Sequence, residues 1–286
     1  MIKRKILLIG AVMLMLLLTA GCGGTAQPGN TETLPSATHM ADASSVDEVC
    51  ALLKDAGLEN TDVFREWVVD FSETAGKKAH LAGDWLPPEE LAPDTAACAD
   101  GWESRYDYSD ADCRMTAFLL LGDSLQVDRP EKTYTGTYLM FDLDAIDRTK
   151  KYASLKARRN QFFTLFGDKS PLTGALEEHF PALWKQHGIR LQNDRVSLIS
   201  IVLYDPYDKT LFVGHTGILV DCGDSLLFVE KIAFEQPYQA TKFRSAEELL
   251  QMLSRRQEYF GEDGESGPFV YQNDRYLGTL QKSDPQ

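Results

Sequence analysis

The chain of 286 residues has little of what most active-site signatures are made from. It carries five His and five Cys, with no His-Glu-x-x-His, no Cys-x-x-Cys and no glycine-rich phosphate loop. No metal site and no cofactor are expected from such a sequence. Basic residues are scarce as well. Lys and Arg number 29 against 43 Asp and Glu, a formal net charge of −14. A body this acidic is repelled by phosphate backbones and anionic lipid surfaces, which excludes nucleic acid as a partner. There is no internal repeat and no Pro/Gly-rich linker that divides the body. Long apolar runs are absent too, with one exception.

That exception is "ILLIGAVMLMLLL" (6–18), preceded by Lys3-Arg4-Lys5 and followed by "LTAGC" ending at Cys22. An apolar core this short, with small residues before a Cys, predicts a cleaved secretory signal rather than a spanning helix. The segment resembles the lipobox of bacterial lipoproteins, with Thr19 where an aliphatic residue is commoner. The resemblance implies a diacylated thiol on Cys22 as the first mature residue. The protein would then sit lipid-anchored on the extracytoplasmic face of the cell membrane, and two acyl chains suffice for stable anchoring. Loss of residues 1–21 removes Lys3, Arg4 and Lys5 and moves the net charge from −14 to −17. Residues 22–44, rich in Gly, Thr, Ser and Pro, read as a flexible tether, and residues 45–286 as one domain.

The N-terminal half of that domain has helical texture. Ser45 to Glu48 forms a capping box ahead of "VDEVCALLKDAG", and Val63, Trp67, Val68 and Phe71 share one side of a second helix. The stretch 86–109, broken by prolines, reads as irregular. "CRMTAFLLL", a charged stretch from about Asp144 to Phe166, and "TGALEEHFPALWKQHG" read as further helices. From Arg195 the texture becomes β-rich, with turns at Asp205-Pro206-Tyr207-Asp208 and Cys222-Gly223. "SAEELLQMLSRRQEYFG" is a helix with a second capping box, and "PFVYQND" a last strand. Helices first and an antiparallel meander later predict an α+β fold, a helical N-terminal half packed on an antiparallel sheet.

Within the meander, "GHTGILVDCGDSLLFVEK" (214–231) raises a chemical question. A Glu in a run that otherwise wants burial is costly unless paired. If the turn is symmetric about Cys222-Gly223, His215 faces Glu230, with Cβ atoms roughly 4.5–5.5 Å apart. A slip of one residue would put them on opposite faces. A Glu that orients a His is the second half of a nucleophilic triad. The nucleophile it suggests is Cys113. Ser109 or Asp110 can cap the helix that follows, placing Cys113 in a first turn that favours a thiolate.

"DCRMTAFLLL" followed by "GHTGIL" resembles the signatures of NlpC-type cell-wall peptidases and amidases, and "LLFVEK" looks like the strand that carries their orienting residue. The resemblance implies a papain-like core with Cys113 as nucleophile, His215 as base and Glu230 as orienter. Arg114 stands where many relatives have a small residue, and the spacing from Cys113 to His215 is long. The implied function is thiol-dependent hydrolysis of amide bonds, with a cell-wall peptide as substrate. "SLISIVLYDP", "LFVGHTGILV" and "LLFVEKIAFEQPYQATKF" also resemble a family of Gram-positive lipoproteins known as a domain of unknown function, which brings no activity with it.

A bland reading stands beside each of these. Cys113 can be a small buried hydrophobe, or half of a disulfide with Cys222, since Cys50, Cys98, Cys113 and Cys222 are even in number. Asp107, Asp110 and Asp112 oppose a thiolate at Cys113. His215 and Glu230 can be a structural pair, or Glu230 can pair with Lys242 or Arg244. On that reading the protein is a non-catalytic binding or assembly module. Tyr106, Tyr108, Arg114 and Gln236 are weaker candidates for substrate contacts, and Gln236 can replace Glu230 as orienter. His179 and His187, eight apart on one helix, read as surface residues.

Overall fold

A computed structural model describes residues 34–169, 175–260 and 266–282. The signal segment and Cys22 lie outside the described residues. Order reaches further back than expected. Ser36–Thr38 forms the first strand, β1, inside the stretch assigned to the tether.

Helices dominate up to His187, as the periodicity predicts. They are α1 (Ala43–Asp55), α2 (Thr61–Ala75), α3 (Thr95–Arg105), α4 (Cys113–Leu121), α5 (Met140–Arg148), α6 (Ala153–Ala157), α7 (Arg159–Phe166) and α8 (Leu176–His187). Four local expectations need correction. The cap of α1 is Asp42, whose Oδ1 accepts the Ser45 N–H at 2.8 Å, so the helix starts ahead of the predicted box. The prolines of the 86–109 stretch end at Pro93, and Asp94 can then cap α3, accepting from the Ala97 N–H at 3.0 Å. In α4 the cap is Asp112, not Ser109 or Asp110, so Cys113 is the first helical residue. The charged stretch expected as one long helix divides into α5, α6 and α7.

The strands are β2 (Leu125–Val127), β3 (Ile189–Leu191), β4 (Val196–Asp205), β5 (Thr210–Asp221), β6 (Leu226–Lys231), β7 (Tyr238–Phe243), β8 (Ser266–Gln272) and β9 (Arg275–Thr279), with helix α9 (Ala246–Arg255) between β7 and β8. β2 and β3 form a small ribbon. The other seven make one antiparallel sheet in the order β1-β7-β6-β5-β4-β8-β9. The chain is thus a mixed α+β protein.

This sheet is covered on both faces, which is why its central strands β4, β5 and β6 are apolar along most of their length. Ile218, Val220, Leu227 and Val229 join α4 residues such as Met115 and Phe118 in the larger core. The alternate residues Ile199, Ile201, Leu219 and Phe228 pack with Leu249, Leu253 and Tyr259, from α9 and the turn after it. The two-residue side-chain period assigns neighbours to opposite layers. One irregularity interrupts it. His215 pairs with Ile201 but Val213 with Val202, so Gly214 is an extra residue in β5. Such a bulge changes the face on which the following residues point.

Candidate functional site

The β5–β6 hairpin turns through Cys222-Gly223-Asp224-Ser225, two positions longer than the symmetric turn the sequence suggests. Asp221 faces Leu226, and Glu230 faces Gly217 rather than His215. Gly223 adopts φ +89°, where a side chain would be strained, and its N–H is held by Asp221 Oδ1 at 2.8 Å. A shift of two keeps both residues on one face, so the pairing survives diagonally. His215 Nε2 lies 2.7 Å from Glu230 Oε2.

Both side chains are sealed, His215 at 2 % and Glu230 at 0 % exposure. Gly217 makes room for this arrangement, because a Cβ there would sit 2.5 Å from the Phe228 ring. The cation for Glu230 is Arg256, just after α9. Its Nη1 and Nη2 donate to the two carboxylate oxygens at 2.7 and 2.5 Å. The sequence pointed instead to Lys242 or Arg244. Lys242 reaches Glu48 at 2.8 Å, and Arg244 reaches Glu248 at 3.0 Å. Tyr259 closes the cluster, accepting from Arg256 Nη1 and stacking on His215 with ring centroids 5.1 Å apart.

The electrostatics follow from this packing. Burial by itself raises the Glu230 carboxyl, but Arg256 and His215 more than offset it and hold it at about 2. Burial lowers His215, and the attraction of Glu230 only partly restores it. Glu230 is therefore an ion locked between a guanidinium and an imidazole.

Cys113 lies elsewhere. His215 points to the α9 layer with Ile201 and Tyr259, whereas α4 packs on the opposite face against Ile218 and Val220. The thiol is 4 % exposed, and the β5 group that acts on it is the backbone N–H of Thr216, a residue next to His215 whose side chain belongs to the other face. Burial, reinforced by Asp112 and Asp142, pushes this thiol up to about 12. Cys50, Cys98, Cys113 and Cys222 are all free thiols, so the Cys113–Cys222 disulfide is not formed.

Arg114 is not a cleft residue but the centre of a buried ion cluster. Its Nη2 is 2.7 Å from Asp112 and its Nε 2.8 Å from Asp142, while Nη1 donates to the Val213 carbonyl at 3.1 Å. Burial pushes Asp112 up to about 8, with Asp142 adding to the effect and Arg114 opposing it. Tyr106 and Tyr108 belong to a third place, an aromatic group with Trp102, where the Tyr106 hydroxyl donates to Asp70 at 2.7 Å. His179 and His187 are buried rather than on the surface, and His187 Nδ1 is 2.8 Å from the Arg129 carbonyl. Of the sequence candidates, the structure thus brings together His215 and Glu230, with Gln236 nearby.

Gln236 lines a cleft of about 830 Å³ that Arg256 also borders. This size is within the range of small-ligand sites, 300–1,000 Å³. Pro35, Pro237, Ile232 and Met252 supply apolar wall. His39, missed in the sequence, is part of that wall. It is 2 % exposed and burial lowers it to about 4. Its Nδ1 accepts the Ala82 N–H at 3.1 Å, so the proton of the neutral ring is on Nε2, a donor. Arg256 was missed as well. The signal for it was indirect, since a buried Glu demands a cation without naming one. Gly214 was the overlooked signal for the bulge, because an isolated Gly within a strand marks such breaks.

These features define a two-sided α+β domain in which a locked Glu230–Arg256 pair lies at the wall of a cleft. A family model described as Domain of unknown function (DUF4300) matches residues 36–277, and the chain belongs to that family. No curated protein and no solved structure matches the chain.

Proposed function

We propose that the protein is a non-catalytic binding module, tethered through lipid on Cys22 to the extracytoplasmic face of the membrane, with its ligand site in the cleft beside Arg256. The tether rests on the basic, apolar and "LTAGC" segments that precede the folded body. The single observation that carries the binding reading is the placement of His215 and Cys113 on opposite faces of the sheet. His215 gives its Nε2 to Glu230, itself saturated by Arg256, in a cluster that holds a cleft wall rigid. Rigid, preformed walls lower the ordering cost of binding.

The rival reading is a thiol hydrolase with a papain-like core acting on amide bonds, with cell-wall peptides as substrate. It needs a thiolate and a base within hydrogen-bond reach. A thiol at about 12, next to Asp112 and Asp142, weighs against it. The two readings separate on thiol alkylation of the full chain across pH, with the labelled Cys mapped by mass spectrometry. The binding reading expects slow labelling of Cys113 at neutral pH, unchanged in His215→Gln. Fast labelling below neutral pH that disappears in His215→Gln overturns it and restores the hydrolase.

A further inference from the structure

The walls of the cleft also carry information about the chemistry of its ligand, an inference that rests on the cleft being a binding site. Two exposed carboxylates from separate elements, Glu89 and Glu258, border it. Glu258 is close enough to His215 to act on its charge. Glu248 also lines it but is engaged by Arg244. The positive side is weaker. Arg256 is neutralised by Glu230, and among the described residues Arg255 is the lining cation without a carboxylate partner. The whole chain, at −14, adds a field of the same sign as the two carboxylates.

Two nearly sealed polar side chains face this acidic cleft. His39 has Nδ1 occupied by Ala82, so its Nε2–H is the donor that remains. Gln239, 8 % exposed, spends its amide N–H on Thr241 Oγ1 at 3.0 Å, which leaves the amide oxygen as an acceptor. A donor and an acceptor fixed between apolar walls match the alternating carbonyl and N–H of an extended backbone. Carboxylates at the rim match cationic side chains projecting from it.

We propose that the cleft takes a short basic peptide segment in extended conformation, its backbone meeting His39 and Gln239 and its cationic side chains meeting Glu89 and Glu258. The occupant is a Lys- or Arg-bearing stretch of a partner protein, not an anion.

The test is fluorescence anisotropy with the full chain in detergent and a labelled hexapeptide of alternating lysine and leucine, capped at both ends. The glutamate–leucine hexapeptide is the counterpart. Saturable binding of the lysine peptide alone is expected. The double variant Glu89→Gln/Glu258→Gln should bind it at least about fivefold more weakly, as two partly exposed ion pairs allow. The control Asp194→Asn/Asp224→Asn removes two exposed charges away from the cleft and should leave binding unchanged. Equal binding of both peptides, absence of saturable binding, or an equal loss in the control overturns the proposal. If the lysine peptide fails while Cys113 stays inert to alkylation, the ligand class is wrong and the binding module stands. If Cys113 is activated through His215, the underlying reading itself falls.

Discussion

His215 and Glu230 touch at 2.7 Å without facing each other in the ladder, since the residue opposite Glu230 is Gly217. The contact is diagonal, across the space that the missing Cβ of Gly217 leaves beside Phe228. Glu230 then completes its charge balance with Arg256, from a different element.

Glu230→Ala should be among the most destabilising single changes, because it leaves Arg256 buried without a counter-charge. Breaking a buried pair by removing one partner costs about 3–5 kcal/mol. Urea unfolding should show that loss, and Glu230→Gln/Arg256→Met should lose less than the sum of its single variants. Simple additivity would mean that the pair is not coupled.

Stability should fall in acid between pH 6.5 and about 4 on account of His39. The folded ring takes its proton at about 4, the unfolded one at 6.5, so the unfolded chain binds more protons within this window. The His39 contribution is therefore fully present above 6.5 and lost as pH falls to about 4. The gap allows up to roughly 3 kcal/mol. His39→Asn, whose side-chain oxygen can accept the Ala82 N–H, should flatten urea midpoints between pH 7 and 4.5 relative to the parent chain.

Arg114→Ala should destabilise by about 3 kcal/mol or more, since Asp112 and Asp142 then share a buried site without their cation. Arg114→Lys should rescue little. The forked contacts to Asp142 at 2.8 and 2.9 Å require a guanidinium, which an ammonium cannot replace. Thermal melts of both variants check this, and full rescue by Lys would show that charge alone matters.

Gly217→Ala should cost about 1–3 kcal/mol through overpacking against Phe228. The readout is the unfolding midpoint together with the near-ultraviolet signal of the aromatic residues around β6. An unchanged midpoint would mean that the ring moves aside freely.

Much of the scaffold was legible because its signals are local. The apolar spacing of α2, the run "CRMTAFLLL" and the turn at Asp205 to Asp208 all fell where they were expected. Strand alternation also placed His215 and Glu230 on a shared face even though the assumed register was wrong by two, since a shift of two leaves the face unchanged. The short strands β1, β7 and β9 were not legible. They have little apolar pattern of their own and exist by pairing with neighbours.

By itself the sequence determined where most of the helices lie, which hairpin carries the imidazole and carboxylate, and how acidic the molecule is. These depend on residue type and on spacing along a few turns of chain. Only the tertiary structure decided that His215 looks toward α9 and Cys113 lies under the other face. In a sheet buried on both sides, both sets of alternating residues are apolar, so hydrophobicity cannot say which layer each will meet. The bulge at Gly214 and the return of the chain through α9 to Arg256 made that choice, through contacts between residues far apart in the chain.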